Sequence, residues 1–442
     1  MTSYHWPKPQ SRMVGLFTDL QLFPDALRYA SDKPIGITRF DLEEELSHRT
    51  QGLLLIDRQS PRRWSDLIRE MRYFGWLKVI DSTYKPIDDA KCKITPEGEA
   101  VLQIWQSDKE KFFRILAKKM QDRYVIPGWF VSRLWNLNPE REGEVVIPVP
   151  LTDWSPPQRP WANRIWDIEI ENQSRKVFES VTTSCPGGLP ITENKWVDSV
   201  KESWTRLGNI RERTTSRKTN MVRSEKRKLY SPRQRLAQAM SEASISILFA
   251  DISPNAEEPD FFRRKQPLSH RLFTAWCPRL EALGLIFYTD AHPLISGRLL
   301  FPVSVFRKNA LDTDFVVIGE IYDPQGRNLW LHQPRWELVR EQFLETLFQE
   351  HRRASTRVGS LYAPLLDVRD EVCRQLRLSA TCFDSFIGVA LREAILPGAS
   401  FSISVETDVR EDQRMAYRLL RRPVWINGIS HSLIAMTEYR KG

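Results

Sequence analysis

The sequence lacks any long apolar run. No stretch approaches the roughly 18 to 20 residues that a membrane-spanning helix requires, so contact with a membrane is not expected. The opening residues, "MTSYHWPKPQSRMVGLF", have neither the charged start, the apolar centre nor the small-residue cleavage site of a signal peptide. Cysteine is scarce: five, at positions 92, 185, 277, 373 and 382, none in a CxxC pair. That excludes a disulfide framework and a zinc ribbon, and a reducing cytoplasm is the expected setting. Catalytic signatures are missing too, with no GxxxxGK[ST], GxGxxG, HExxH or GxSxG. Nucleotide hydrolysis by this chain alone and serine-hydrolase chemistry are therefore not expected, and no cofactor or metal is implied.

What is present is an uneven distribution of charge. The 442 residues carry a formal net charge of +9. Residues 206 to 235, "RLGNIRERTTSRKTNMVRSEKRKLYSPRQR", hold eleven Lys or Arg against Glu212 and Glu225; eleven less two leaves nine, the surplus of the whole chain. Cations at this density neutralise phosphates and release condensed counterions, which favours polyanion binding without reading sequence. Arg211, Arg213, Arg217, Lys218, Arg223, Lys226, Arg227 and Lys228 are its candidate contacts. The alternatives for this run are a solvated linker, or a contact with an acidic protein or a membrane surface.

Periodicity supplies the elements. In "TRFDLEEELS", Phe40, Leu42 and Leu46 stand among acids in a short helix that Thr38 or Asp41 can cap. Ser60 and Pro61 mark a helix start. Trp64, Leu67, Ile68, Met71 and Phe74 then follow at three- and four-residue spacing, and Gly75 ends the helix. "WLKVI" and "KCKIT" read as strands around the turn-rich "DSTYKPIDDA", and Pro96 opens another helix. "VVIPVPLTDWSPPQRPW", with five prolines, reads as an extended boundary, and "RIWDIEIE" as a strand. A helix is expected from Pro232 to Phe249. Near residue 269 a helix opened by Ser269 and closed by Gly284 precedes "LIFYT" and the return "RLLFPVSVF". Toward the C-terminus, one helix carries Leu366, Val368, Val372 and Leu376. After a turn at Leu378 and Ser379, a second carries Phe383, Phe386, Ile387, Ala390 and Leu391. "FSISV" and "PVWI…HSLIAM" then pair across a tip bearing Arg410, Arg414, Arg418, Arg421 and Arg422.

Helix, helix, strand, hairpin tip, strand, helix over residues 15 to 120 resembles the winged helix-turn-helix superfamily, with "FGWLKVI…KITPEGEAVL" similar to the wing in many bacterial members. The same outline recurs near 268–306 and 364–436. The expected fold class is α+β, predominantly α, with multiple winged helices joined by Pro-rich and basic linkers. The expected divisions are an N-terminal winged helix with a long C-terminal helix (1–147), a boundary with a small β segment (148–204), a basic linker (205–235), a second winged helix (236–335) and a third (336–442). The resemblance makes the helix after Ser60 a recognition helix, with Arg62, Arg63, Arg69 and Arg72 toward nucleic acid.

The expected function is non-catalytic DNA binding, as an accessory or recognition subunit with protein partners in a DNA-processing assembly such as phage defence or a mobile element. Two classes of alternative stand beside it, the first an enzyme. Asp314 with Glu320 in "GEIY" is similar to the acids of a metal-dependent nuclease, but Tyr322 occupies the place of its lysine, and "DIEIE" lacks that lysine as well. His332, Arg335 and Tyr362 faintly resemble a tyrosine recombinase, outside that family's helical context. The second alternative is a protein-interaction scaffold.

Overall fold

The computed structural model describes residues 20, 22–46, 62–81, 90–123, 126–151, 153–155, 166–187, 189–216, 232–248, 276–289, 297–303, 305–306, 315–322, 328–397, 399–407, 424–426 and 429–438. They form a mainly helical α+β structure with several small sheets.

The first unit opens with α1 (Leu22–Asp32), which buries Leu22, Phe23, Ala26, Leu27 and Ala30. Ile37 then makes a single antiparallel bridge to Cys92. Thr38 caps α2 (Arg39–Leu46) reciprocally: its amide donates to the Asp41 carboxylate at 2.6 Å, and its hydroxyl accepts from the Asp41 amide at 3.4 Å. Leu42 and Leu46 point inward, but Phe40 is 56% exposed. Two positions from Leu42 place it on the opposite side of the helix. All five residues of the predicted apolar stripe are buried in and just beyond α3 (Arg62–Tyr73). Gly75 (φ 82°) turns the chain into β1 (Leu77–Asp81), antiparallel to β2 (Lys91–Ile94).

The Thr95 hydroxyl caps α4 (Pro96–Ser107) by accepting from the Gly98 amide at 3.1 Å. A Cβ on Gly98 would lie 2.4 Å from the Trp76 carbonyl oxygen, so only glycine lets α4 sit this close to the strand. The expected long helix is three: α4, α5 (Lys109–Arg123) and α6 (Ile126–Leu137). Asp108 makes the first break, with extended backbone and a carboxylate that accepts from the Lys111 amide at 2.9 Å.

The second unit departs furthest from the expected divisions. β3 (Val145–Pro148) pairs with β5 (Gly297–Pro302), which pairs with β4 (Ile286–Thr289), all antiparallel. One sheet thus joins residues placed on both sides of the predicted boundaries. Between its strands lie α7 (Ile168–Ser184), α8 (Glu193–Ser216), α9 (Pro232–Leu248) and α10 (Cys277–Ala282). The predicted strand "RIWDIEIE" is instead the start of α7. Asp167 caps it by accepting from the Ile170 amide at 3.0 Å, and the alternation fails because Ile168 faces out while Ile170 is buried. The predicted basic linker likewise begins inside α8 and ends in α9. In chain order it lies between β3 and β4, strands of one sheet. The return strand stops at Pro302. Val305 and Phe306 form β6, which joins β7 (Phe315–Tyr322) and β8 (Asn328–Pro334) in a separate sheet.

The third unit comprises α11 (Trp336–Val358), β9 (Ala363–Pro364), α12 (Leu365–Leu376), α13 (Ala380–Glu393), β10 (Phe401–Glu406), β11 (Val424–Ile426), β12 (Ile429–His431) and β13 (Leu433–Glu438). Arg377, in the left-handed region at φ 53°, turns α12 into α13, and the Ser379 hydroxyl caps α13 by accepting from the Cys382 amide at 3.1 Å. "FSISV" pairs with β13, whereas "PVWI" forms a hairpin with β12.

All three units place the first strand beside the last: Ile37 beside β2, β3 beside β5, and β9 beside β13. The sheet of the second unit is the partition of the molecule. Val145, Ile147, Ile286 and Tyr288 face a core shared with the first unit. Val146, Phe287 and Phe301 face a core shared with α7, α8, α9 and the third unit. Continuous apolar runs at 145–147 and 286–288 are what a strand buried on both faces demands.

Candidate nucleic-acid interface

Two sequence features carry the expectation of nucleic-acid contact: α3 and the basic segment. The structure treats them very differently.

In α3, Trp64, Ser65, Asp66, Leu67 and Ile68 are all buried. Five successive residues sweep more than one turn of 3.6, so the helix is enclosed around its whole circumference there. Part of the cover is Arg279 of α10, whose guanidinium donates two 2.7 Å hydrogen bonds to the Glu70 carboxylate. Arg69 is half-buried and donates to Asp66 at 3.4 Å. Arg72 is also half-buried, near enough to Cys92 to oppose the burial that raises that thiol's pKa. The backbones of Arg62 and Arg63 form the first turn of α3; their side chains lie outside the described residues.

The basic segment is fixed at both ends. On the α8 side Arg206 pairs with Glu242 of α9 at 2.6 Å. Burial still holds the Glu242 pKa above the usual carboxylate range, against the pull of Arg206 and Gln238. On the α9 side, Arg233 donates to the carbonyls of Trp154 at 2.7 Å and Leu151 at 2.6 Å, tying down the proline-rich strip. Arg235 donates to the Trp204 carbonyl through Nε at 3.2 Å, with its guanidinium 4.2 Å from the centre of the Trp204 ring. Three of the eleven cations are thus structural fasteners. The other eight are the candidate contacts. Arg211 and Arg213 have their backbones on α8 and their side chains outside the described residues, and Arg217, Lys218, Arg223, Lys226, Arg227 and Lys228 lie wholly outside them.

The alternative sites are less assembled. Asp314 lies outside the described residues; Glu320 sits on β7 opposite Trp330. Among the described residues no group of three His, Cys, Asp or Glu side chains is arranged to hold a metal ion. His332 is on β8 opposite Val317, and the Tyr362 hydroxyl donates to Glu406 at 2.7 Å. Among the described residues no helix is long and apolar enough to cross a membrane.

Sequence reasoning missed a set of buried charges that join the units. Arg377 reaches back to the second unit. It meets Glu144 at 2.7 Å and Glu142 at 3.3 Å, and its guanidinium lies 4.6 Å from the centre of the Phe301 ring. Burial works against ionised Glu144, but Arg377 and Arg141 outweigh it and hold its pKa below the usual range. Burial and that carboxylate together push the nearby Cys185 thiol up to about 12. Arg369 and Asp370 pair at 3.1 Å with both side chains buried, and the Thr289 hydroxyl of β4 donates to Asp370 at 2.7 Å. The one sequence signal was the presence of charges inside otherwise apolar spacing, such as Glu70 between Leu67 and Met71.

Comparison with known protein families, characterised proteins and solved structures finds no match.

Proposed function

We propose that the chain is a non-catalytic DNA-binding protein, acting as an accessory subunit of a larger DNA-processing assembly, with the basic segment between α8 and α9 as its principal contact. The observation that carries this reading is the fixing of that segment at both ends. A run holding eight further cations is anchored by Arg206 on one side and by Arg233 and Arg235 on the other. The anchored ends tie the run to the second unit, and high local charge density is what phosphate neutralisation rewards.

The recurring order of helix, strand or bridge, two or more helices and then antiparallel strands, with the first strand beside the last, supports reading the three units as winged helices. In this reading they serve as the frame on which the segment is mounted. Winged helices also serve as protein-binding modules, which suits an accessory subunit. The test is a titration of fluorescent duplex DNA with the full chain at low and moderate salt, beside a variant with the eight cations changed to Gln. Binding that falls with salt and is weakened in the variant supports the proposal. Equal binding by both proteins removes the segment from the interface.

A further inference from the structure

In each unit one helix precedes the hairpin, where a groove-reading helix stands in the superfamily this order resembles: α3, α10 and α13. The described residues of all three are largely covered by the chain itself. α3 is enclosed from Trp64 to Ile68 and tied through Glu70 to Arg279. In α10, Arg279, Leu280 and Glu281 are buried in succession, and the helix packs against α13. In α13, Cys382 to Asp384 and Phe386 to Gly388 are buried, leaving Ser385 exposed between them. The β11–β12 hairpin covers the side of Asp384 and Gly388. The Trp425 amide donates to the Asp384 carboxylate at 3.0 Å, and a Cβ on Gly388 would lie 3.6 Å from Ile426.

A helix that reads base edges must enter a major groove about 12 Å wide and present several side chains along one free face. These helices have used their faces on one another. We infer that none of the three is a reader, and that the ligand recognised is the sugar-phosphate backbone of duplex DNA irrespective of its base sequence. This rests on the proposed function and deepens it. The covalent path supports it as well. The basic segment runs from α8 to α9 within the second unit, so the chain itself tethers it to the body in which the three helices are buried.

The test is selection from a random duplex library by the full chain, followed by titration of several duplexes of equal length and unrelated sequence. The inference expects the bound pool to match the input at every position and the affinities to agree within about twofold, since direct readout separates sequences by about fivefold or more per mismatched pair. The Arg62→Ala, Arg63→Ala double variant should shift every duplex by the same factor. An enriched motif overturns the inference, and its loss in the double variant would identify α3 as the reader. Absence of binding to any duplex at low salt overturns the proposed function itself, an outcome distinct from a motif.

Discussion

Glu70 and Arg279, 209 positions apart, form a bidentate ion pair with both oxygen–nitrogen distances at 2.7 Å and side chains 0% and 4% exposed. It joins the first unit to the second where α3 would otherwise face solvent. Breaking such a pair strands a buried charge, which costs about 3 to 5 kcal/mol, whereas replacing both partners with apolar groups is often close to neutral.

Arg279→Met alone should therefore lower unfolding free energy by about 3 kcal/mol or more, and Glu70→Leu with Arg279→Met should recover most of the loss. Urea denaturation of both variants and of Glu70→Leu alone closes the cycle. Additive effects of the two single changes would show that the pair is not coupled.

Arg377→Gln should destabilise the chain and alter its response to acid. The Glu144 pKa is depressed in the folded state, so its contribution is fully present above the unfolded carboxylate value of about 4.3 and fades as pH falls toward the folded one. Removing Arg377 takes away much of the depression. The stability difference between wild type and variant should thus be largest at neutral pH and shrink below about pH 4. Thermal melts across that range check it; a constant difference would assign the effect to lost packing on Phe301.

Replacing Arg211, Arg213, Arg217, Lys218, Arg223, Lys226, Arg227 and Lys228 with Gln should flatten the salt dependence of DNA binding. If about five of them meet phosphates, the log–log slope should change by about 4.5. Stability should change little, because the structural contacts of Arg206, Arg233 and Arg235 remain. An unchanged slope would make the segment a spacer. Loss of an acidic protein partner with DNA binding intact would make it a protein contact.

The purified chain alone should neither cleave DNA nor hydrolyse ATP. Cleavage that requires Mg²⁺ and disappears in Asp314→Ala or Glu320→Ala would establish the nuclease reading instead.

The elements of the first and third units were largely legible because their signals are local. Trp64 to Phe74 repeat at helical spacing, Pro96 follows a capping Thr95, and Ser379 caps α13. In the second unit the helix from Pro232 and the strands of "LIFYT" and "RLLFP" were legible, but their assembly was not, since pairing Val145 with Leu300 is a long-range choice that neither strand advertises. Prolines around 148–161 read as a boundary, yet Arg233 fastens that strip to α9 through carbonyls that any residues would supply. The site was half legible: the charge of the basic segment was plain, but its anchors looked like more of the same charge. The burial of α3 could not be foreseen from its own residues, for Arg279 lies in a different unit.

The partition sheet also sets a timetable for the growing chain. At about 5 to 20 residues per second, the 209 positions between Glu70 and Arg279 take roughly 10 to 40 s to synthesise. Throughout that interval the first unit lacks the arginine that neutralises its inward carboxylate, and Val145 to Ile147 lack the strand that pairs with them. The earliest part to emerge is thus completed only after the second unit has followed it. Products that stop short of residue 297 carry an unpaired apolar strand, the kind of surface that chaperones shelter and proteases find first.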